Sequence, residues 1–341
     1  MDTSHIKEDM KNEIENYVQK TDRLPIKPVD KIEIIQRYVF SKLRWRFSIY
    51  DLTETWVAQN IDSLINKYYR KWLQLPICSN ITHLSLPKSK LGLNIKTSKQ
   101  LYRECKLMVR RILKSSHNED VRQLYNITSN KNVINDSILN ESVQTHGNNR
   151  HQIKEVCDKV VKNDNLQSIW NNFLQLKEQS GIIKILLKSC RAKDITSWQN
   201  IVKYLPTSIY NFARRYLILT LSNGTNLKRW KIKENSSCAL CTAKETQLHL
   251  FNNCPNGLKR YEWRHNSILR TIGNHLVNIS NPYYQVYIDI DNFESPCSLF
   301  KKRQQTTSEI LYRARPVIIL KQRDEITIVE LTCPFETNID N

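Results

Sequence analysis

Residues 236–255 read SSCALCTAKETQLHLFNNCP, and the spacing of their thiols and imidazole decides how this part of the chain folds. Cys238, Cys241, His249 and Cys254 make the pattern C-x2-C-x7-H-x4-C. A two-residue gap lets both thiolates of a knuckle turn toward one ion. A short helix or loop then returns the imidazole and the last thiolate to complete a tetrahedral shell. This donor set suits Zn2+, and four protein ligands would fill its shell, so the expected ion is structural, with no position open to water. The chain has nine cysteines. Its opening, MDTSHIKEDMKNEIENYVQK, is too polar for a secretory signal. Reduced thiols are therefore expected, and the compartment they suit is the nucleus or cytoplasm.

Cations crowd both sides of this stretch. Lys228, Arg229, Trp230, Lys231 and Lys233 precede it, while Lys259, Arg260 and Arg264 follow, with Tyr261 and Trp263 between them. Cations bind phosphates and aromatic faces stack on unpaired bases. The same residues also fit a solvated charged face with Trp230 and Trp263 packed on the knuckle. Across all 341 residues, 52 Lys+Arg stand against 33 Asp+Glu, a formal charge of +19. Such an excess attracts polyanions, making DNA and RNA the expected partners, with no sign of a membrane span or a small-molecule substrate.

Further upstream the patterning is helical. Asp30 is placed to cap a helix carrying Ile32, Ile35, Val39 and Leu43. A second helix is expected from Thr53, with Ile61, Leu64, Ile65, Tyr68 and Trp72 on one face, ending before Pro76. A third, SKQLYRECKLMVRRILK at 98–114, puts Arg103, Lys106, Arg110 and Lys114 at spacings of three and four, opposite Leu101, Leu107 or Met108, and Ile112. One-sided basicity suits a phosphate backbone, and equally a solvated helix face. Residues 116–162 turn to Asn, Ser, Asp and Lys, as a polar linker would. Helical patterning returns from Leu166 to Leu221, with its longest apolar run at GIIKILLK, 181–188. In the tail, Val317–Leu320 and Ile326–Leu331 read as a β-hairpin across a charged turn. Glu330 sits in its second strand, where it either faces solvent or, with a second acid opposite, ligates Mg2+.

Several phrases in this order resemble the C-terminal region of reverse transcriptases from site-specific non-LTR retrotransposons. RYVFSKLRWRFSIYDL (37–52), RKWLQLP (70–76) and KLGLNI (90–95) are similar to their helical thumb. NLKRWK (226–231) with the Cys/His cluster is similar to their zinc knuckle. RYEWRHNSIL (260–269) and RARPVIIL…ITIVELTCPFE (313–336) are similar to the opening of their restriction-like endonuclease. The resemblance implies that Cys238, Cys241, His249 and Cys254 bind zinc, that Arg264 and His265 form a basic pair, and that Glu330 is a remnant of the nuclease metal site. It also implies an aspartate where Val317 stands, and polymerase acids in an F/Y-x-D-D motif that this sequence lacks. DNA synthesis needs two metal ions held by such acids, and losing one carboxylate removes most metal-assisted cleavage, so a binding fragment is expected; the alternatives are a residual Mg2+-dependent endonuclease and a zinc-stabilised protein-interaction module.

The resulting fold class is mainly α, with a small zinc knuckle and a truncated α/β endonuclease-like tail. The expected organisation is an extension (1–29), a thumb-like bundle (30–115), a polar linker (116–162), a helical region (163–227), the knuckle (228–257) and the endonuclease-like segment (258–341).

Overall fold

A computed structural model describes residues 4–129, 150–176, 179–279, 285–296, 317–323 and 325–331. The chain is mainly helical and divides into two compact units, Met1–Leu221 and Ser222–Asn341.

The first unit begins with α1, Ser4–Asp22, inside the stretch expected to be an extension. Met10, Ile14 and Val18 recur every four residues and are buried, so this polar-looking segment is an amphipathic helix with one packed stripe. Pro28 starts α2, Pro28–Ile34, which runs through a π-helical turn, Ile35–Val39, into α3, Phe40–Ile49. Proline pre-sets the first helical φ and lacks the amide that would otherwise need a partner. Asp30 therefore lies within the first turn rather than capping it. Ile32, Ile35, Val39 and Leu43 are buried as their spacing implies.

The Thr53 hydroxyl accepts from Trp56 N at 3.1 Å and opens α4, Glu54–Trp56. A π-helical turn, Val57–Asp62, leads into α5, Ser63–Trp72. On α5 the core residues are Ile65, Tyr69 and Trp72; Leu64 and Tyr68 are only half-buried. Helix α6, Ser98–Lys114, is capped by Thr97 and also by Asp62, whose carboxylate accepts from the amides of Ser98 (2.5 Å) and Lys99 (3.0 Å). Its apolar side includes Leu101, Leu107 and Met108, with Ile112 partly buried.

The expected polar linker is not what the described residues form. Helix α7 spans Glu119–Ser129 and α8 spans Arg150–Leu174. Cys157 and Val161 of α8 pack against Leu107 and Met108 of α6. One small thiol and one β-branched residue a turn apart suffice as an inward stripe, and such a stripe leaves little trace in composition. The middle of that stretch, 130–149, lies outside the described residues. Three more helices follow: α9, Gly181–Ser189; α10, Ala192–Val202; and α11, Thr207–Leu217. Buried Arg214 on α11 donates to Leu91 O at 3.1 Å and to Gln199 Oε1 on α10 at 2.6 Å, tying both helices to the 84–95 loop. Gly92 in that loop passes so close to Leu86 that an added Cβ would stand 1.9 Å from its carbonyl oxygen. Any side chain there forces the loop open.

The second unit contains α12, Gly224–Arg229, the Cys/His stretch, α13, Leu258–Ile279, and an antiparallel sheet in the order β1 (Gln285–Ile288), β2 (Ile318–Gln322), β3 (Glu325–Val329). The expected hairpin is β2–β3, registered from Gln322↔Glu325 to Ile318↔Val329. Leu269, Ile288 and Ile318 form its core beside α13. The helix can approach because Gly273 faces the sheet: a Cβ there would lie 2.4 Å from Ile288 Cδ1. β3 is an edge strand among the described residues, and all five of its residues are exposed.

His83 provides a test of the first unit. Its ring is buried, its Nδ1 lies 3.2 Å from Asn80 O, and burial pushes its pKa down to about 4. The unfolded chain takes up a proton near pH 6.5 while the folded chain resists until about 4. Stability is thus full above pH 6.5 and falls as pH drops through that window, by up to about 3 kcal/mol. Urea midpoints of the whole chain between pH 7 and 4 should show this loss, and His83→Gln should flatten it.

Candidate metal centre

The Cys/His stretch starts from a short antiparallel bridge between Ser237 and Lys244. Cys238 N donates to Ala243 O at 2.8 Å and Glu245 N to Ser236 O at 2.7 Å, closing the loop that carries the first two thiols. Within it, Leu240 N points at Cys238 Sγ from 3.4 Å. This amide, foremost among several donors, holds the Cys238 thiol down at about 7 despite desolvation. The thiol is therefore more easily ionised than a free cysteine, and thiolate is the form that ligates. The opposite holds at Cys254, where burial pushes the thiol up.

The third and fourth groups come from a π-helical turn, His249–Asn253, and the residue after it. Thr246 Oγ1 accepts from His249 N at 3.0 Å and fixes the start of this turn. The wider turn turns His249 inward, buried, while Cys254 leaves it in extended conformation. The three sulfurs and the imidazole nitrogen all lie within 4.8 Å of one another. Cys238 Sγ and Cys254 Sγ are 3.9 Å apart, Cys254 Sγ and Cys241 Sγ 4.0 Å, and Cys241 Sγ and His249 Nε2 3.3 Å. Two thiolates about 2.3 Å from one tetrahedral zinc must stand about 3.8 Å apart. The four groups can hold a metal ion, and their donor chemistry and separations are compatible with structural zinc.

The charge and aromatic pattern of the sequence does not reveal what Tyr261 does. Its hydroxyl accepts from Cys254 N at 2.9 Å and donates to His249 O at 3.1 Å, fastening two ligand-bearing residues together. Gly257 makes room for it, since a Cβ there would sit 2.9 Å from the hydroxyl. Tyr261 is thus a positioning residue of the centre and not a free stacking surface. A second brace runs to α12: Glu245 Oε1 accepts from Gly224 N at 2.6 Å, and Glu245 O accepts from Thr225 N at 3.0 Å.

The basic residues divide into two sets. Near the centre, Lys228, Arg229 and Lys231 are exposed, and Lys228 and Lys231 form no ion pair with a described residue. Arg229 Nη2 reaches Asn226 Oδ1 at 2.6 Å, and Trp230 is half-buried. Arg264 lies over the Tyr261 ring at 5.7 Å and, with His265, lines a shallow depression of about 300 Å3 with Asn252, Tyr261 and Glu262. The candidate residues of α6 belong to the first unit and are engaged there. Arg103 Nε donates to Glu54 Oε1 at 2.7 Å, and Lys106 Nζ lies 3.8 Å from Asp51 and 5.6 Å from the centre of the Tyr102 ring. Arg110 and Lys114 approach the Tyr125 ring at 5.3 and 5.8 Å. The open basic face expected on this helix is largely taken up by acids and rings from distant parts of the chain. Spacing within one helix carries no sign of them.

Glu330 lies just past β3 and is exposed, so it is not held inside an apolar strand. Among the described residues it joins no group of three or more metal-binding side chains, and the Mg2+ expectation has no support there. Val317 packs partly buried against the sheet core. No described helix is long and apolar enough to cross a membrane. No protein-family model matches the chain, and no curated protein matches it.

Removing the Tyr261 hydroxyl tests the brace. Tyr261→Phe keeps the ring against Gly257 and should weaken zinc affinity about tenfold, as loss of an outer-shell partner does, measured by competition with a chromogenic chelator. Cys238→Ala should abolish stoichiometric binding. Equal affinity of Tyr261→Phe and wild type would remove the tyrosine from the centre.

Proposed function

We propose that this chain is a zinc-stabilised nucleic-acid-binding protein, derived from the C-terminal region of a non-LTR retrotransposon reverse transcriptase. The observation that supports binding most directly is the surface charge around the metal centre. Residues 222–279 contain nine Lys/Arg and three Asp/Glu, and Lys228, Arg229, Lys231, Lys233, Lys259 and Arg260 are all exposed. Exposed cations on a folded surface bind phosphates by releasing the counterions condensed on nucleic acid. The ion's role is to hold the stretch between α12 and α13, the two helices that carry most of them. The order of thumb-like, knuckle-like and nuclease-like phrases supports the origin, and the activity proposed is binding alone, to DNA and RNA, in the nucleus or cytoplasm.

Affinity should fall about 100-fold for a short duplex and about 50-fold for a short single strand between roughly 50 and 200 mM salt, the drops expected for about four phosphate contacts. Lys228→Glu with Lys231→Glu should weaken both and flatten that dependence. Affinity independent of salt, or unaffected by the double substitution, would count against the reading.

A further inference from the structure

Lys259, Arg260, Tyr261, Trp263, Arg264 and Arg270 all sit on α13, and the helix separates them. Successive residues turn by about 100°. Tyr261, Arg264 and His265 fall on the side toward the metal centre, where Tyr261 bonds Cys254 N and His249 O. Leu269 and Gly273 face the sheet and are buried. Lys259, Trp263, Arg270 and Asn274 fall within about 60° of one another on the remaining side, and all four are exposed.

Trp263 is 71% exposed. A ring this open leaves its face available to stack on a planar ligand. Lys259 stands one turn before it, about 6 Å along the axis, and Arg270 two turns after, about 10 Å. Neither forms an ion pair with a described residue. Glu262, the one acid of α13, is turned about 100° from Trp263 and about 80° from Arg270, and lies beside Lys259 at one edge of the face. A flat ring between two cations, with the single acid off to one side, matches a ligand that is flat and apolar at intervals and negative throughout.

We infer that the Lys259–Trp263–Arg270 face of α13 binds single-stranded nucleic acid, with Trp263 stacking on an unpaired base and the two cations holding flanking phosphates. The inference rests on the proposed nucleic-acid binding and adds a strand preference and a site. Base stacking is available only where a base is not already stacked and paired, so this face favours single strands over duplex. A protein partner would use the ring differently, by burying it, with no dependence on strandedness.

The test uses the full zinc-loaded chain and a fluorescent oligonucleotide, as a single strand and as a duplex, read by anisotropy at fixed salt. Trp263→Ala should weaken single-strand binding about tenfold while duplex affinity stays within about twofold, and Trp263→Phe should recover most of the loss. Lys259→Ala with Arg270→Ala should weaken both ligands and lower the salt dependence by about two phosphate contacts. Zinc content and melting temperature check that each variant is folded. Folded Trp263→Ala that binds the single strand as tightly as wild type overturns this inference and leaves general nucleic-acid binding standing. Wild type that binds neither ligand overturns both.

Discussion

The second unit depends on four side chains meeting at one point. Three sulfurs and an imidazole nitrogen within 4.8 Å are an unfavourable assembly by themselves, because thiolates repel and buried thiols lose hydration. A divalent cation reverses the sign: the same proximity becomes coordination, and the free energy of ligation becomes free energy of folding. Much else nearby answers to that point. The Ser237–Lys244 bridge, the π-helical turn at His249–Asn253 and the Tyr261 hydroxyl each fix one ligand-bearing segment. Tyr261 extends this order into α13, whose far side packs on the sheet through Leu269 and Gly273.

The two units place their positive charge differently. In the first, cations are largely absorbed. Arg44 and Lys96 meet buried Glu104, Arg103 meets Glu54, and Arg214 is spent on Leu91 and Gln199. These contacts tie the first unit together across 8 to 123 residues of sequence. In the second, Lys228, Lys231, Lys233, Lys259 and Arg260 near the metal centre are exposed to solvent, while Arg264 lies over Tyr261. Net charge alone would assign both units equally to a polyanion, whereas the partners of each cation favour the second.

What could be read in advance followed from chemistry carried by single residue types at fixed spacing. Cys and His at C-x2-C-x7-H-x4-C admit few uses, and the structure brings all four together. The stripe Ile32, Ile35, Val39, Leu43 and the β2–β3 hairpin were legible for the same reason, since their periods are local. What could not be read depends on partners distant in sequence. Glu54 is 49 residues from Arg103, and nothing in 98–114 signals that it arrives. Cys157 and Val161 looked like part of a polar segment because two small inward residues are enough against Leu107 and Met108. Tyr261 looked like one aromatic among cations, and only the fold shows its hydroxyl bridging Cys254 and His249. Glu330 sat in an apolar run by sequence, yet the strand before it is an exposed edge.

X-ray absorption at the zinc edge of the purified chain tests the central claim most directly, because it counts the donors around the ion. The proposed centre predicts one zinc per chain with three sulfur ligands at about 2.3 Å and one nitrogen at about 2.0 Å. A shell dominated by oxygen, a different sulfur count, or a chain that takes up no zinc would contradict it.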